Sequence, residues 1–508
     1  MTQKDYDIII IGSGIGGTAS GALLQNAGFD TLILERLPEV GGACSSYRKE
    51  GFLIDKAVHF FSGGMKSRFG KILRKTGLAK KDGDGNLVSD YLEFVAPLYP
   101  SIKFKGKQGF TEMGASKFMS GKKKNKKPKK DEKIDDDNET FSTEKTGFSK
   151  KEKQEYLMVI ANMLSMSRRK KKKLEESKTD LKSWVNSLTD NKKVHDFVAV
   201  MCGTFFTIPP RMAIASEYII CLQETVGLND TGYPKGGCVA IPNAFIGALE
   251  HHGGEIKVNK KVDKIIVEDG VATGVEADDE NIYADIIISN ADIRKTVNQL
   301  VGPKHFDKEY IETVNNLIPS YSAITFKFAL EKPIKEIGDK PVIQLTQTEI
   351  TNLKTFKPEP GEKIPKTPGY LMPVLSNMDP SLAPKGKQLI IVGTSVPPLK
   401  RVSNWKKWMD AYYDDIIEFF PKLETYAQFV DRTTPKDIIY YTGKASGAVE
   451  GTALTPDQSG KYRISSELPI KNLFCVGDTA GTDTHGVGTQ LAADSAIKLA
   501  KIIQNKYK

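Results

Sequence analysis

The chain opens on a run that leaves few folds available to it. Ile8, Ile9, Ile10 and Ile11 are followed at once by Gly12-Ser13-Gly14-Ile15-Gly16-Gly17. Four consecutive β-branched apolar residues suit a strand buried on both faces, the setting of a parallel sheet. Directly after it, Gly12 permits a tight turn, Gly14 lets the backbone approach a pyrophosphate, and Gly17 lets the next helix pack against the strand. The unpaired N–H groups at the helix start favour phosphate oxygens. A second strand over 31–34 ends in Glu35, placed to accept hydrogen bonds from ribose hydroxyls. Strand, glycine turn, helix and acid in register predict a dinucleotide-binding α/β unit.

A second signal sits at the other end. Leu473 to Val476 reads as another buried strand, and Gly477 allows close backbone approach while Asp478 offers a carboxylate to a hydroxyl. A glycine-punctuated loop with Gly486-Val487-Gly488 then leads into a helix expected over 489–503. Its first amides would stabilise negative charge on a reduced ring system. Glu35 and Asp478 address opposite portions of one extended cofactor, and that cofactor is then FAD. After Glu35, Gly41-Gly42 and Gly51-Phe52-Leu53-Ile54-Asp55 stand where an NAD domain would begin another helix. With no second strand-GxGxxG-helix unit, a stable NAD(P) domain is not expected.

These segments resemble the phytoene desaturase-like flavoproteins of the wider flavin amine oxidase superfamily. That family runs from the glycine pair into G-F-x-F-D-x-G-x-H, and the chain reads Gly51-Phe52-Leu53-Ile54-Asp55-Lys56-Ala57-Val58-His59. Ala57 replaces the usual glycine, and Ala43 stands where many relatives place an arginine after the pair ending in Gly42. The stretch 251–291 resembles the family's second contribution to the FAD domain, and there the resemblance alone implies that the main chain of Val262 meets the adenine. Gly486-Val487-Gly488-Thr489-Gln490-Leu491-Ala492-Ala493 is similar to the carotenoid branch. Together the matches cover about the first 60 residues, a similar number in the middle and the last 60. They imply hydride transfer between flavin N5 and a polyisoprenoid lipid, in desaturation, saturation or isomerisation, with His59 as the catalytic candidate near the flavin.

The resulting expectation is an α/β fold. A Rossmann-like FAD-binding domain is assembled from 1–65, 229–310 and 440–508, and an α+β substrate-binding domain from 66–228 and 311–439. At 508 residues the chain exceeds a usual single core, which supports two domains. Residues 92–109 read as a hairpin with a strand over 99–104 and a turn at Gly106, 150–227 as largely helical, and 405–420 as an amphipathic helix. Lys327, on a strand, is expected to face solvent. Five scattered cysteines and six histidines without ligand spacing predict reduced thiols and no metal site.

Charge is concentrated. Nine lysines against two acids over 117–133 and six consecutive cations over 168–173 exceed the whole net charge of +10, so the remainder is close to neutral. The stretch 116–153 also carries Asp135-Asp136-Asp137 and few apolar residues, the composition of a disordered insert. Its lysines could contact anionic lipid headgroups; without interleaved aromatics or a recognition motif, nucleic acid is not an expected partner. No spanning segment or leader is read, which predicts a cytoplasmic protein, peripheral on a membrane where the basic runs engage one. Two other readings stay open: a flavin amine oxidase releasing peroxide, and a non-enzymatic flavoprotein scaffold binding an anionic partner. Nothing in the sequence speaks to oligomeric state.

Overall fold

The computed structural model describes residues 4–57, 61–95, 101–106, 109–114, 149–228, 232–346, 364, 369–397 and 404–508. His59 and residues 116–148 of the basic insert lie outside them.

The isoleucine run forms the middle of a parallel sheet. Its strand, Tyr6–Ile11, lies between Glu280–Ser289 and Thr31–Leu34, with Leu473–Cys475 and Glu255–Lys257 outside them. Ile10 pairs with Ile288 and Ile288 with Phe474, so the first, middle and last stretches of chain meet in adjacent strands. Both faces are covered. Ile8 and Ile10 join helices Ile15–Asn26, Ala240–His251 and Gly488–Tyr507 through Leu23, Phe245, Leu249 and Leu499. Ile9 and Ile11 pack instead with Val262, Ile265, Val275 and Val297. Burying such a side chain contributes roughly 1.5–3 kcal/mol each, so alternation is absent because neither face is solvated. The antiparallel strands Val262–Glu268 and Val271–Ala277 cover one side and pair onto the first half of Glu280–Ser289.

A second, mixed sheet runs in the order Ala427–Thr433, Ser322–Leu330, Gln388–Val396, Tyr370–Pro373, Val342–Thr346, Ser101–Gly106, Gly109–Gly114. The hairpin expected over 92–109 sits later: Ser101–Gly106 pairs with Gly109–Gly114 across a turn just past Gly106. One face of the sheet packs Phe326, Phe328 and Ile390 on Trp408, Tyr412 and Ile416 of helix Trp405–Phe419. The other face carries Ala323, Thr325 and Lys327 by strand alternation. Lys327 corrects the sequence expectation: it is 4 % exposed, and its Nζ donates to Thr433 Oγ1 at 2.8 Å beneath the Tyr47 ring. Burial pulls its pKa down to about 8 despite the nearby Asp431 and Asp437 charges.

Five helices, Lys150–Ser165, Arg168–Glu176, Leu181–Asn186, Lys192–Phe206 and Ala215–Leu228, pack around Val159, Leu181, Val198 and Ile219. The first starts inside the stretch assigned to the insert. Ser149 accepts from Glu152 N while the Glu152 carboxylate returns to Ser149 N, a capping box that fixes the helix start. Among the described residues no helix is long and apolar enough to cross a membrane, no group of side chains could hold a metal, and none of the five cysteines is in a disulfide.

Candidate active site

The glycine turn is built as its spacing requires. Gly12 has φ +95°, open to glycine and costly for other residues, and its N–H donates to Leu34 O at 2.8 Å. A Cβ on Gly17 would lie 2.0 Å from Gly12 O, so that glycine lets the helix close on the strand. Gly14 faces the Asn290 side chain, where a Cβ would come within 2.8 Å of Nδ2. Gly16 is squeezed between Asn290 and Gly477: its Cβ would stand 2.5 Å from Asn290 Oδ1 and 2.9 Å from Gly477 Cα. All three separated stretches of chain therefore meet at this turn.

Glu35 is buried at the end of its strand and more occupied than the sequence suggests. Oε2 accepts from Ser13 N at 2.9 Å and Ser13 Oγ at 2.6 Å, while Oε1 accepts from Leu37 N at 2.9 Å. A carboxylate has about four acceptor positions, so these bonds hold the acid rigidly and leave room for about one ligand hydroxyl. Ser13 Oγ also accepts from Gly41 N at 3.2 Å, tying the Gly41-Gly42 pair to the turn. Gly42, with φ +58°, opens the short turn Gly42–Cys44, and Arg36 lies beside it along the same wall.

At the C-terminal half, Gly477 has φ +114° and its N–H donates to Ser495 Oγ at 3.2 Å. Asp478 Oδ2 accepts from Lys444 Nζ at 2.6 Å and Gly451 N at 2.9 Å. Burial works against both charges. The pairing wins, holding Asp478 below and Lys444 above its ordinary range. Gly486 has φ +114° and allows the bend that brings Val487 and Gly488 onto the cavity. Gly488 begins a 20-residue helix, and its N–H donates to Glu450 Oε2 at 3.0 Å.

These groups line one cavity of about 550 Å³. Gly12, Gly14, Glu35, Gly42, Val262, Gly477, Asp478, Val487 and Gly488 all face it, whereas Gly17 and Gly486 shape its wall from behind. Val262 lies at the start of its edge strand, 8 % exposed. The same cavity continues onto Tyr156, Ile160, Phe197, Phe205, Tyr218 and Leu222 of the helical layer, and onto Ala323, Thr325 and Leu371 of the second sheet. Lys327 lies one turn of the strand pleat past Thr325, beyond the cavity wall.

Sequence reasoning missed Asn290, Lys444 and Glu450. Asn290 follows a strand as Ser289-Asn290-Ala291-Asp292, a strand-to-helix turn that signals an end-of-strand site. Lys444 and Glu450 lie in irregular chain with no periodicity to reveal them.

The residues fit FAD. Two glycine approaches without Cβ, a held ribose-side acid, a helix start and a long continuous cavity suit an extended dinucleotide with a flat ring. When bound, the flavin supplies hydride acceptance and donation.

Comparison with known proteins agrees with that geometry. The model of the flavin containing amine oxidoreductase family matches residues 15–504. The chain is 24% identical to the zebrafish (Danio rerio) all-trans-retinol 13,14-reductase over 561 aligned residues, covering 99% of this chain and 86% of that protein. It is 25% identical to the inactive all-trans-retinol 13,14-reductase of the same organism over 373 residues, covering 66% of this chain and 58% of that protein. It is also 25% identical to the phytoene desaturase of Cercospora nicotianae over 409 residues, covering 77% and 61%. The chain thus spans about three fifths of the length of the latter two. Among solved structures, an oxidoreductase from Methanosarcina mazei superposes with a TM-score of 0.70 at 20% identity, covering 97% of this chain and 100% of that one.

Proposed function

The chain belongs to the flavin containing amine oxidoreductase family and is an FAD-dependent oxidoreductase, and from that premise we propose that it acts on carbon–carbon bonds of a polyisoprenoid, carotenoid-like lipid. The observation that carries this reading is the continuity of one cavity from the glycine-lined nucleotide wall to the apolar helical layer around Ile160, Phe197 and Leu222. A long hydrocarbon gains about 25 cal/mol for each Å² of apolar surface it buries there, whereas a small soluble cation gains little. The names of the relatives point to the same substrate class.

The chain's own groups divide the work. Gly12, Gly14 and the N-terminus of Ile15–Asn26 receive the pyrophosphate; Glu35 takes a ribose hydroxyl; Val262 borders the adenine; Asp478, already ionised against Lys444, takes a ribityl hydroxyl. The apolar wall aligns the lipid and excludes water, so the reacting carbons are held near the ring and side reactions are suppressed.

Delivery of such a lipid favours a membrane surface. Leu157, Met158 and Leu164 are exposed on Lys150–Ser165, Leu164 also lines the cavity, and the cationic helix Arg168–Glu176 follows directly. An apolar tip flanked by lysines suits anionic lipid, at roughly 1 kcal/mol per cation near the surface.

The decisive experiment is anaerobic flavin spectroscopy of the purified holoprotein against polyisoprenoids and amines, with mass spectrometry of any copurifying lipid. Flavin redox change with a polyisoprenoid is the expected result. Reduction by amines alone would refute the reading in favour of an amine oxidase.

A further inference from the structure

Two carboxylates stand near the start of the last helix, and the protein treats them oppositely. Asp478 is clamped by Lys444 Nζ and Gly451 N. Glu450 Oε2 accepts from Gly488 N at 3.0 Å, and the residue lines the cavity while being only 5 % exposed. Its backbone is fixed on both sides: Glu450 N donates to Ser320 Oγ at 2.8 Å and Ser320 N to Glu450 O at 3.2 Å. Glu450 lines the cavity at the start of that helix, and the same cavity continues to the apolar helical layer.

We propose that Glu450 carries the proton of the reaction. This rests on the polyisoprenoid reading above. In the desaturating direction, one C–H bond of the lipid breaks as its hydride passes to the flavin. The C–H bond on the neighbouring carbon breaks with its proton moving to a Glu450 carboxylate oxygen, and the electron pair left behind forms the C=C bond. Saturation is the reverse: Glu450 gives up the proton and reduced flavin the hydride.

The ionisation state suits that task. Burial pushes the carboxyl up, Lys444 pulls it back, Asp478 pushes it up again, and Arg463 pulls it down; the balance is about 7. From the helix on the far side, Cys221 senses the same charge and is itself pushed well above its ordinary range, mainly by burial. A proton carrier works best when its pKa lies near the working pH, and a neighbouring pair driven apart in pKa commonly divides into a fixed charge and a mobile proton. Asp478 is the fixed charge.

Glu450→Gln and Glu450→Ala in the FAD-loaded full chain test the proposal. Gln keeps an oxygen for Gly488 N–H but cannot titrate. The expected result is that Glu450→Gln retains bound flavin and thermal stability, while kcat with a polyisoprenoid falls about 100-fold or more, as loss of general acid–base catalysis does. A transition near pH 7 in the visible spectrum of the bound flavin, measured without substrate, should vanish in the same variant. Wild-type kcat in Glu450→Gln with loss only in Glu450→Ala would reduce Glu450 to a helix cap and overturn the proposal. A spectral transition unchanged in Glu450→Gln would overturn it as well. If no polyisoprenoid reacts with the wild type, the substrate reading fails, and the spectral titration alone then decides: its loss in Glu450→Gln supports Glu450 as the proton-bearing group, and its persistence overturns that.

Discussion

Gly16→Ala is the perturbation that tests the convergence of the chain directly. A methyl at this position would stand 2.9 Å from Gly477 Cα and 3.0 Å from Gly477 N, as well as 2.5 Å from Asn290 Oδ1. The asparagine side chain can turn aside. Gly477 cannot move without weakening its 3.2 Å bond to Ser495 Oγ and shifting Asp478 next to it. Forcing a methyl into a packed site costs about 1–3 kcal/mol. Alanine in place of glycine within Ile15–Asn26 returns about 0.5–1 kcal/mol of helix preference. The mid-range net is a loss of about 1.3 kcal/mol, borne where the nucleotide sits, equivalent to roughly tenfold in affinity. Titration of apoprotein with FAD, followed by flavin fluorescence, measures it. Gly227→Ala is the control: it is exposed near the end of Ala215–Leu228 and its Cβ would meet nothing within 4 Å, so it should be neutral or mildly stabilising. Combining Gly16→Ala with Asn290→Ala separates the two contacts. Wild-type FAD affinity in Gly16→Ala, or complete rescue in the double variant, would refute a backbone junction between the two ends of the chain.

Three further outcomes follow from buried charge. Lys444→Met leaves Asp478 unpaired beside an anionic cofactor and should cost about 3–5 kcal/mol, seen as lost flavin content, with Asp478→Asn added to it restoring part of the loss in a double-mutant cycle. Lys327→Met removes a buried ammonium from beyond the cavity wall, so thermal stability should hold or rise and flavin reoxidation by oxygen should not change; slowed reoxidation would refute its placement away from the flavin. His485, 2.7 Å from Glu217, is lifted above its ordinary 6.5 by that hydrogen bond and charge, against the pull of burial. Its folded pKa is raised, so its stabilisation is full below pH 6.5 and is lost as pH rises through the folded value; the fall in melting temperature over that window should flatten in His485→Gln.

What could be read from the sequence was whatever a local pattern encodes. Ile11, Gly12, Gly14, Glu35 and Gly477-Asp478 stand in short stretches whose geometry follows from neighbours in the chain, and they line the cavity. Lys327 misled because Thr325-Phe326-Lys327-Phe328 alternates like a strand with one solvated face, while the sheet is covered on both. Asn290 was invisible as a site residue because its contacts, Gly12, Gly14, Gly16 and Gly477, are between 187 and 278 positions away. Lys444 and Glu450 acquire their roles only through Asp478 and Gly488. The start of Lys150–Ser165 was legible in principle, since Ser149-x-x-Glu152 is a capping box, but the surrounding lysines hid it.

The parts that were not legible are those that set reactivity. Each local motif can bind a phosphate or a ribose alone. Holding Asp478 ionised takes Lys444 and Gly451 N, and raising its neighbour Glu450 takes burial and the Asp478 charge together, groups from segments that are distant until the sheet closes. The apolar wall follows a different logic: Phe197, Phe205 and Leu222 come from helices whose only demand is bulk and greasiness. Substrate identity can therefore drift along that wall while the carboxylate pair stays constrained, so relatives that differ in substrate would share the pair and differ in the helices.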